Sequence, residues 1–213
     1  MRFLWRRLRK GFMNMKKANN ELNTRIMKIT ENEIAKLAND NGYEYAALRA
    51  LVDVESGGTG FAQDGKIIIQ FEPSWFKRKV PFAPSGLWSV NKVERQSAEW
   101  IAFNDAFAKD ADAAMESTSI GMMQVMGFHW KDLKFESVGA MWDYAKINEA
   151  NQVEIAIRFI KNIPKLDQAL KGLNWHLVAC YYNGFGYKEL AKKISREPYN
   201  ISLEKSYHKF KNV

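Results

Sequence analysis

Apolar residues recur at helical spacing from residue 30 to Glu55 and again from about residue 97 onward, and one Asp-Gly pair between them stands out as a hairpin signal. That pattern restricts the chain to a mainly helical α+β domain with one small β-hairpin. Thr30 and Glu33 form a capping box, and Ile34, Leu37 and Ala38 supply the apolar face of the helix it starts. Asn41-Gly42 stops that helix. A second is predicted from about Glu44 to Glu55, ending at Ser56-Gly57-Gly58. Asp64-Gly65 separates the short runs Phe61-Ala62-Gln63 and Lys66 to Glu72, which predicts the hairpin. Residues 73–96 hold Pro73, Pro81 and Pro84 among Trp75, Phe76, Phe82 and Trp88, and read as an irregular lobe. Further helices are predicted over about 97–115, 119–126, 140–162, 174–183 and 187–195. A chain of 213 residues suits one core. A single domain is therefore expected over residues 29–213, behind a leader at 1–28.

Hydrophobic content of 46% with 26% charged residues excludes wholesale disorder. Seven Trp mean either a large aromatic core or a flat surface on which sugars stack. The net charge of +8 points to an anionic partner: nucleic acid, a membrane surface or a wall polymer. Residues 1–17 carry seven Lys or Arg and no acid. As a helix they align Leu4, Trp5, Leu8 and Phe12, a stripe suited to an anionic membrane surface. The plainer alternative is a disordered basic leader. Phe3-Leu4-Trp5 is broken at once by Arg6-Arg7, so no signal peptide is expected. Nothing approaches the ~20 apolar residues of a membrane span. Cys180, the single cysteine, lies in an apolar run and reads as a packing residue, compatible with a reducing compartment. His129, His176 and His208 lack metal spacing, and no phosphate loop or nucleotide fingerprint occurs. No metal, cofactor or nucleic-acid partner is expected.

Two carboxylates carry the chemistry. Leu48, Leu51, Val52 and Glu55 share one helix face, so Glu55 continues an apolar stripe while Asp53 points away. Apolar neighbours and the negative end of the helix dipole both disfavour its charged form, raising its pKa and suiting it to general acid work. In the strand after the hairpin, Ile67, Ile69 and Phe71 face one side and Ile68, Gln70 and Glu72 the other. A short glycine-rich turn joins helix and hairpin, so Glu55 and Glu72 are placed to face each other across a cleft. Glycoside hydrolysis commonly uses such a pair. Alone, Glu55 also reads as a helix-end residue turned to solvent, and Glu72 as an ordinary strand residue.

These residues carry a resemblance. Val54-Glu55-Ser56-Gly57-Gly58, Gly60-Phe61, Asp64-Gly65 and Gln70-Phe71-Glu72 with Phe76 resemble the N-acetylmuramidase family of bacteriophage endolysins. So do Ala113-Ala114-Met115, Ser117-Thr118-Ser119-Ile120-Gly121, Gln124 to His129 and Tyr182-Asn183-Gly184, across roughly residues 44–195. The resemblance implies a lysozyme-like fold, cleavage of the MurNAc–GlcNAc β-1,4 bond of peptidoglycan glycan strands, and no cofactor. It places the catalytic Glu at Glu55 and a second acid at Glu72. Two departures stand out. Ser119-Ile120-Gly121 replaces the commoner Ser-Trp-Gly, and a basic leader is expected where many members carry a wall-binding module.

Further substrate contacts are expected at Ser119, Gln124, Tyr182 and Asn183, with Ser119 or Thr118 capping a helix from Gly121 to Met126. Gln124 reads alternatively as a surface helix residue and Tyr182 as packing. A monomer is expected, made in the host cytoplasm and acting on the wall after release or as a virion component. The alternatives are a lytic transglycosylase, which needs one carboxylate, and a non-catalytic wall-binding or virion structural protein.

Overall fold

The computed structural model describes residues 27–56, 59–92 and 95–211. The basic segment 1–17, with its expected amphipathic stripe, lies outside them. Ile29 N–H donates to the Glu149 carboxylate at 3.0 Å, and Thr30 closes its reciprocal capping box with Glu33 at the start of α1 (Glu31–Asn41). Gly42 ends α1 at φ 73, a left-handed conformation that glycine adopts without strain. Helix α2 (Tyr45–Ser56) then runs through the core, with Ala47, Leu48, Ala50 and Leu51 fully buried.

The Asp64-Gly65 turn forms as expected: Ala62 N–H donates to Lys66 C=O at 2.8 Å, and Phe61 bridges Ile67 antiparallel. The strand that follows, β1 (Ile69–Phe71), pairs with a distant segment instead. It lies antiparallel to β2 (Thr118–Ile120), with Ile69 opposite Ile120, and β2 lies antiparallel to β3 (Val125–Met126). The sheet order is β1-β2-β3. This corrects the helix expected over 119–126, so neither Thr118 nor Ser119 caps one. Thr118 and Ile120 are β-branched and fit a pleated surface, and the chain reverses through left-handed Gly121 (φ 70) and Gln124 (φ 48).

The outer edge of β1 is closed by side chains. Gln96 donates to Ile69 C=O at 2.8 Å and accepts its N–H at 2.9 Å, and Glu99 accepts Phe71 N–H at 2.8 Å. Both stand one turn apart on α4 (Gln96–Phe107), which thereby covers an edge that would otherwise expose unpaired backbone. The remaining described helices are α3 (Pro73–Lys79), α5 (Ala111–Glu116), α6 (Val138–Ile147), α7 (Glu149–Asn162), α8 (Pro164–Lys171), α9 (Trp175–Tyr182), α10 (Tyr187–Lys193) and α11 (Tyr199–Lys211).

Both long helices expected from periodicity are divided. The first ends at Phe107, and Asp110 caps α5 by accepting Ala113 N–H at 2.8 Å; Asn148 ends the second and caps α7 through Asn151 N–H at 2.8 Å. Helix α3 occupies part of the lobe expected to be irregular, starting on Pro73. Among the described residues no helix is long and apolar enough to cross a membrane.

Candidate active site

Glu55 stands in the last turn of α2, whose buried Leu48, Leu51 and Val52 set the face it continues. Its carboxyl is half-buried at a cavity of about 260 Å³ walled by Thr59, Ile68, Gln70, Arg95, Gly121 and Gln124 among others. Burial pushes the Glu55 pKa up to about 7, against an opposing hydrogen bond donated by the Tyr199 hydroxyl. Near neutrality such a group exists in both forms, so it can hold a proton and release it.

The alternation read from the sequence positions the opposite wall. The side chains of Ile67, Ile69 and Phe71 are buried, and Ile68, Ile69 and Gln70 line the cavity. Glu72 is not among the cavity-lining residues. It begins the turn into α3 and accepts a hydrogen bond from the Gln70 side-chain amide at 2.7 Å. The cavity wall therefore reaches Glu72 through one side chain.

Gln124 lines the cavity from the β2–β3 turn and not from a helix. Its amide is held at both ends: Oε1 accepts from Ser119 Oγ at 2.8 Å, and Nε2 donates to Gly121 C=O at 2.7 Å. Ser119 itself is buried, and its hydroxyl meets the cavity wall through that contact with Gln124. The turn is anchored from below by buried Gln152, which accepts Met122 N–H at 2.6 Å and donates to Ala145 C=O at 3.0 Å.

Tyr182, at the end of α9, donates to Met123 C=O at 3.0 Å. Burial and then the nearby Glu55 charge push its hydroxyl well above the ordinary tyrosine range. Asn183 ends α9 exposed, away from the cavity-lining residues. From Tyr182 a row of rings runs through Phe159, His129 and Phe128 to Trp75 on α3, at successive centroid separations of 5.7, 4.9, 4.4 and 4.7 Å. The tryptophans thus divide: Trp88 and Trp142 fill the core, whereas Trp75 is 37% exposed at the end of this row.

Sequence reasoning missed Tyr199, Arg95, Gln96 and Glu99. Gln96 ends the stretch expected to be irregular and Glu99 sits in the first turn of the expected helix, but nothing in spacing shows that their side chains dock on β1. Tyr199 lies 144 residues from Glu55 on a helix that was not expected, and no local pattern links them. Among the described residues no group of three or more His, Cys, Asp or Glu is arranged to hold a metal ion.

Residues 44–211 match the family model described as N-acetylmuramidase. Among solved structures, a crystal structure of the Burkholderia AP3 phage endolysin is similar at TM-score 0.75 and 30% identity, over 87% of this chain and 72% of that one. No curated protein matches.

Proposed function

The chain belongs to the N-acetylmuramidase family, and from that premise we propose that it hydrolyses the MurNAc–GlcNAc β-1,4 bond with Glu55 as general acid. It is a lysozyme-type glycoside hydrolase acting on peptidoglycan, as an endolysin does. The observation that carries the assignment of Glu55 is its half-buried carboxyl at the cavity, with a pKa near 7.

In the proposed reaction protonated Glu55 donates to the glycosidic oxygen as the bond to the anomeric carbon lengthens. Charge then develops on the sugar ring, and Glu72 stabilises it or positions the attacking water. Its bond from Gln70 supports that role by tying Glu72 to a residue of the cavity wall. Gln124, held rigidly by Ser119 and Gly121, and Tyr182 beside Glu55 bind the glycan, with Asn183 contacting a part of it beyond the cavity. We further propose that the catalytic domain spans 29–213 and works as a monomer without nucleic acid. It is made in the host cytoplasm and reaches the wall after release or within a virion. Residues 1–17 engage an anionic membrane surface.

Glu72 stands outside the cavity lining, and this one observation favours a second reading, lytic transglycosylation with Glu55 alone as acid and base. Substitution tests both carboxylates. Glu55→Gln is expected to lower lysis of purified peptidoglycan by ~10²–10⁴-fold, the usual contribution of a general acid. Glu72→Gln is expected to lower it by less. A folded Glu55→Gln protein with wild-type activity would end the mechanism; a wild-type Glu72→Gln would end the two-carboxylate form of it.

A further inference from the structure

Resting on that reading of Glu55, we infer that Tyr199, delivered by the last helix, is the positioning residue that holds one oxygen of the Glu55 carboxyl and leaves the other to meet the substrate. Helix α11 runs back along α2, and its contacts fix the register. Ser206 Oγ donates to Asp53 at 2.8 Å, and Lys209 stands 3.4 Å from the same carboxylate. The Tyr207 hydroxyl donates to Glu44 at 3.0 Å, and the Arg49 guanidinium lies 4.2 Å over the Phe210 ring. With those anchors set, the first residue of α11 is Tyr199, and its hydroxyl donates to Glu55 Oε1.

A phenol has one proton to give. Burial first, and then the Glu55 charge and Tyr182, hold the Tyr199 hydroxyl well above its ordinary pKa, so it stays a neutral donor wherever Glu55 titrates. Tyr182 does not compete, because its own proton goes to Met123 C=O. Other ionisable groups around Glu55 are Tyr182 on α9, and Arg95 and Glu99 at the start of α4, which line the same cavity. Asp53, on the same helix, is turned to Ser206 and Lys209. Tyr199 alone among these is hydrogen-bonded to Glu55 in the described residues.

The bond does two things. It fixes the carboxyl rotamer, so the proton to be transferred sits on Oε2. It also favours the charged form, against the burial that opposes it, so Glu55 can lose its proton and recover it within one cycle.

Tyr199→Phe removes the hydroxyl and keeps the ring packing. The variant is expected to lose kcat several-fold with KM little changed. The alkaline limb of its kcat/KM profile should move up by roughly one pH unit, because the charged form has lost a donor. A profile superimposable on wild type in a folded variant would overturn the assignment. The wild-type chain gives an independent test that needs no folded variant. With ¹³Cζ-labelled tyrosine, the Tyr199 resonance should titrate together with Glu55, and its absence from that titration would equally overturn it. Coupled titration in an enzyme whose Glu55→Gln variant remains active would instead retire the general-acid reading and leave the Tyr199 contact standing.

Discussion

At the scale of single residues, the raised pKa that suits Glu55 to its proposed role as general acid costs stability. Its folded pKa is about 7 against an ordinary 4.5. Between those values the folded chain holds a proton that the unfolded chain has lost, so stability is full below about pH 4.5 and declines as pH rises through 7. At about 1.4 kcal/mol for each pH unit of difference, the deficit is on the order of 3–4 kcal/mol at pH 8. Glu55→Gln keeps an acceptor for Tyr199 and carries no charge. It should therefore be more stable than wild type by that amount at pH 8, and by almost nothing at pH 4. Urea unfolding at the two values checks this, and equal stabilities at pH 8 would mean that Glu55 is ordinarily ionised in the fold. The placement of Glu55 on an apolar face was legible in the sequence because helix periodicity is local. The oxygen that Tyr199 holds was not, since that contact depends on how two helices far apart in the chain dock.

At the scale of elements, what periodicity could and could not reveal follows from range. The capping box at Thr30, the Asp64-Gly65 turn and the alternation from Ile67 to Phe71 are set by neighbours, and all three form. The helix expected over 119–126 does not form because pairing to β1, a tertiary contact, decides the state of this segment. Asn148 and Asp110 were hidden within helical spacing, since a cap residue looks like any polar surface position until the chain turns. Buried Gln152 joins these pieces. A Cβ on Gly60 would lie 1.8 Å from its Oε1, and one on Gly121 would lie 2.6 Å from its Cδ. Gly60→Ala should therefore displace the amide from Met122 N–H and destabilise the fold by about 1–3 kcal/mol, the cost of a buried donor left unpaired. Activity should fall as well, because the turn carrying Gln124 loses its anchor. A thermal midpoint and a lysis rate equal to wild type would show that the turn stands without Gln152.

At the scale of the whole molecule, charge and catalysis are separated along the chain. The seven basic residues of 1–17, with no acid among them, carry all but one of the net +8. Residues 18–213 are nearly neutral overall, so the proposed attraction to an anionic surface is assigned to residues 1–17. Such attraction is screened within about 8 Å at physiological salt. Removing residues 1–28 should leave digestion of purified peptidoglycan unchanged and abolish the part of whole-cell lysis that salt suppresses. Turbidity assays across a range of sodium chloride check this, and a folded truncation inactive on purified wall would place the leader inside the catalytic domain.

Whether water attacks the anomeric carbon, with Glu55 as the proposed acid, is decided by the products. Mass spectrometry of purified peptidoglycan digested by the full chain should find saccharides ending in reducing MurNAc, and none after treatment with Glu55→Gln. Such ends require water at the anomeric carbon, the step in which a second carboxylate assists in the proposed mechanism. Predominantly 1,6-anhydro ends would mean that the sugar's own hydroxyl attacks and that the enzyme is a transglycosylase, and reducing GlcNAc ends would mean that a different bond is cut.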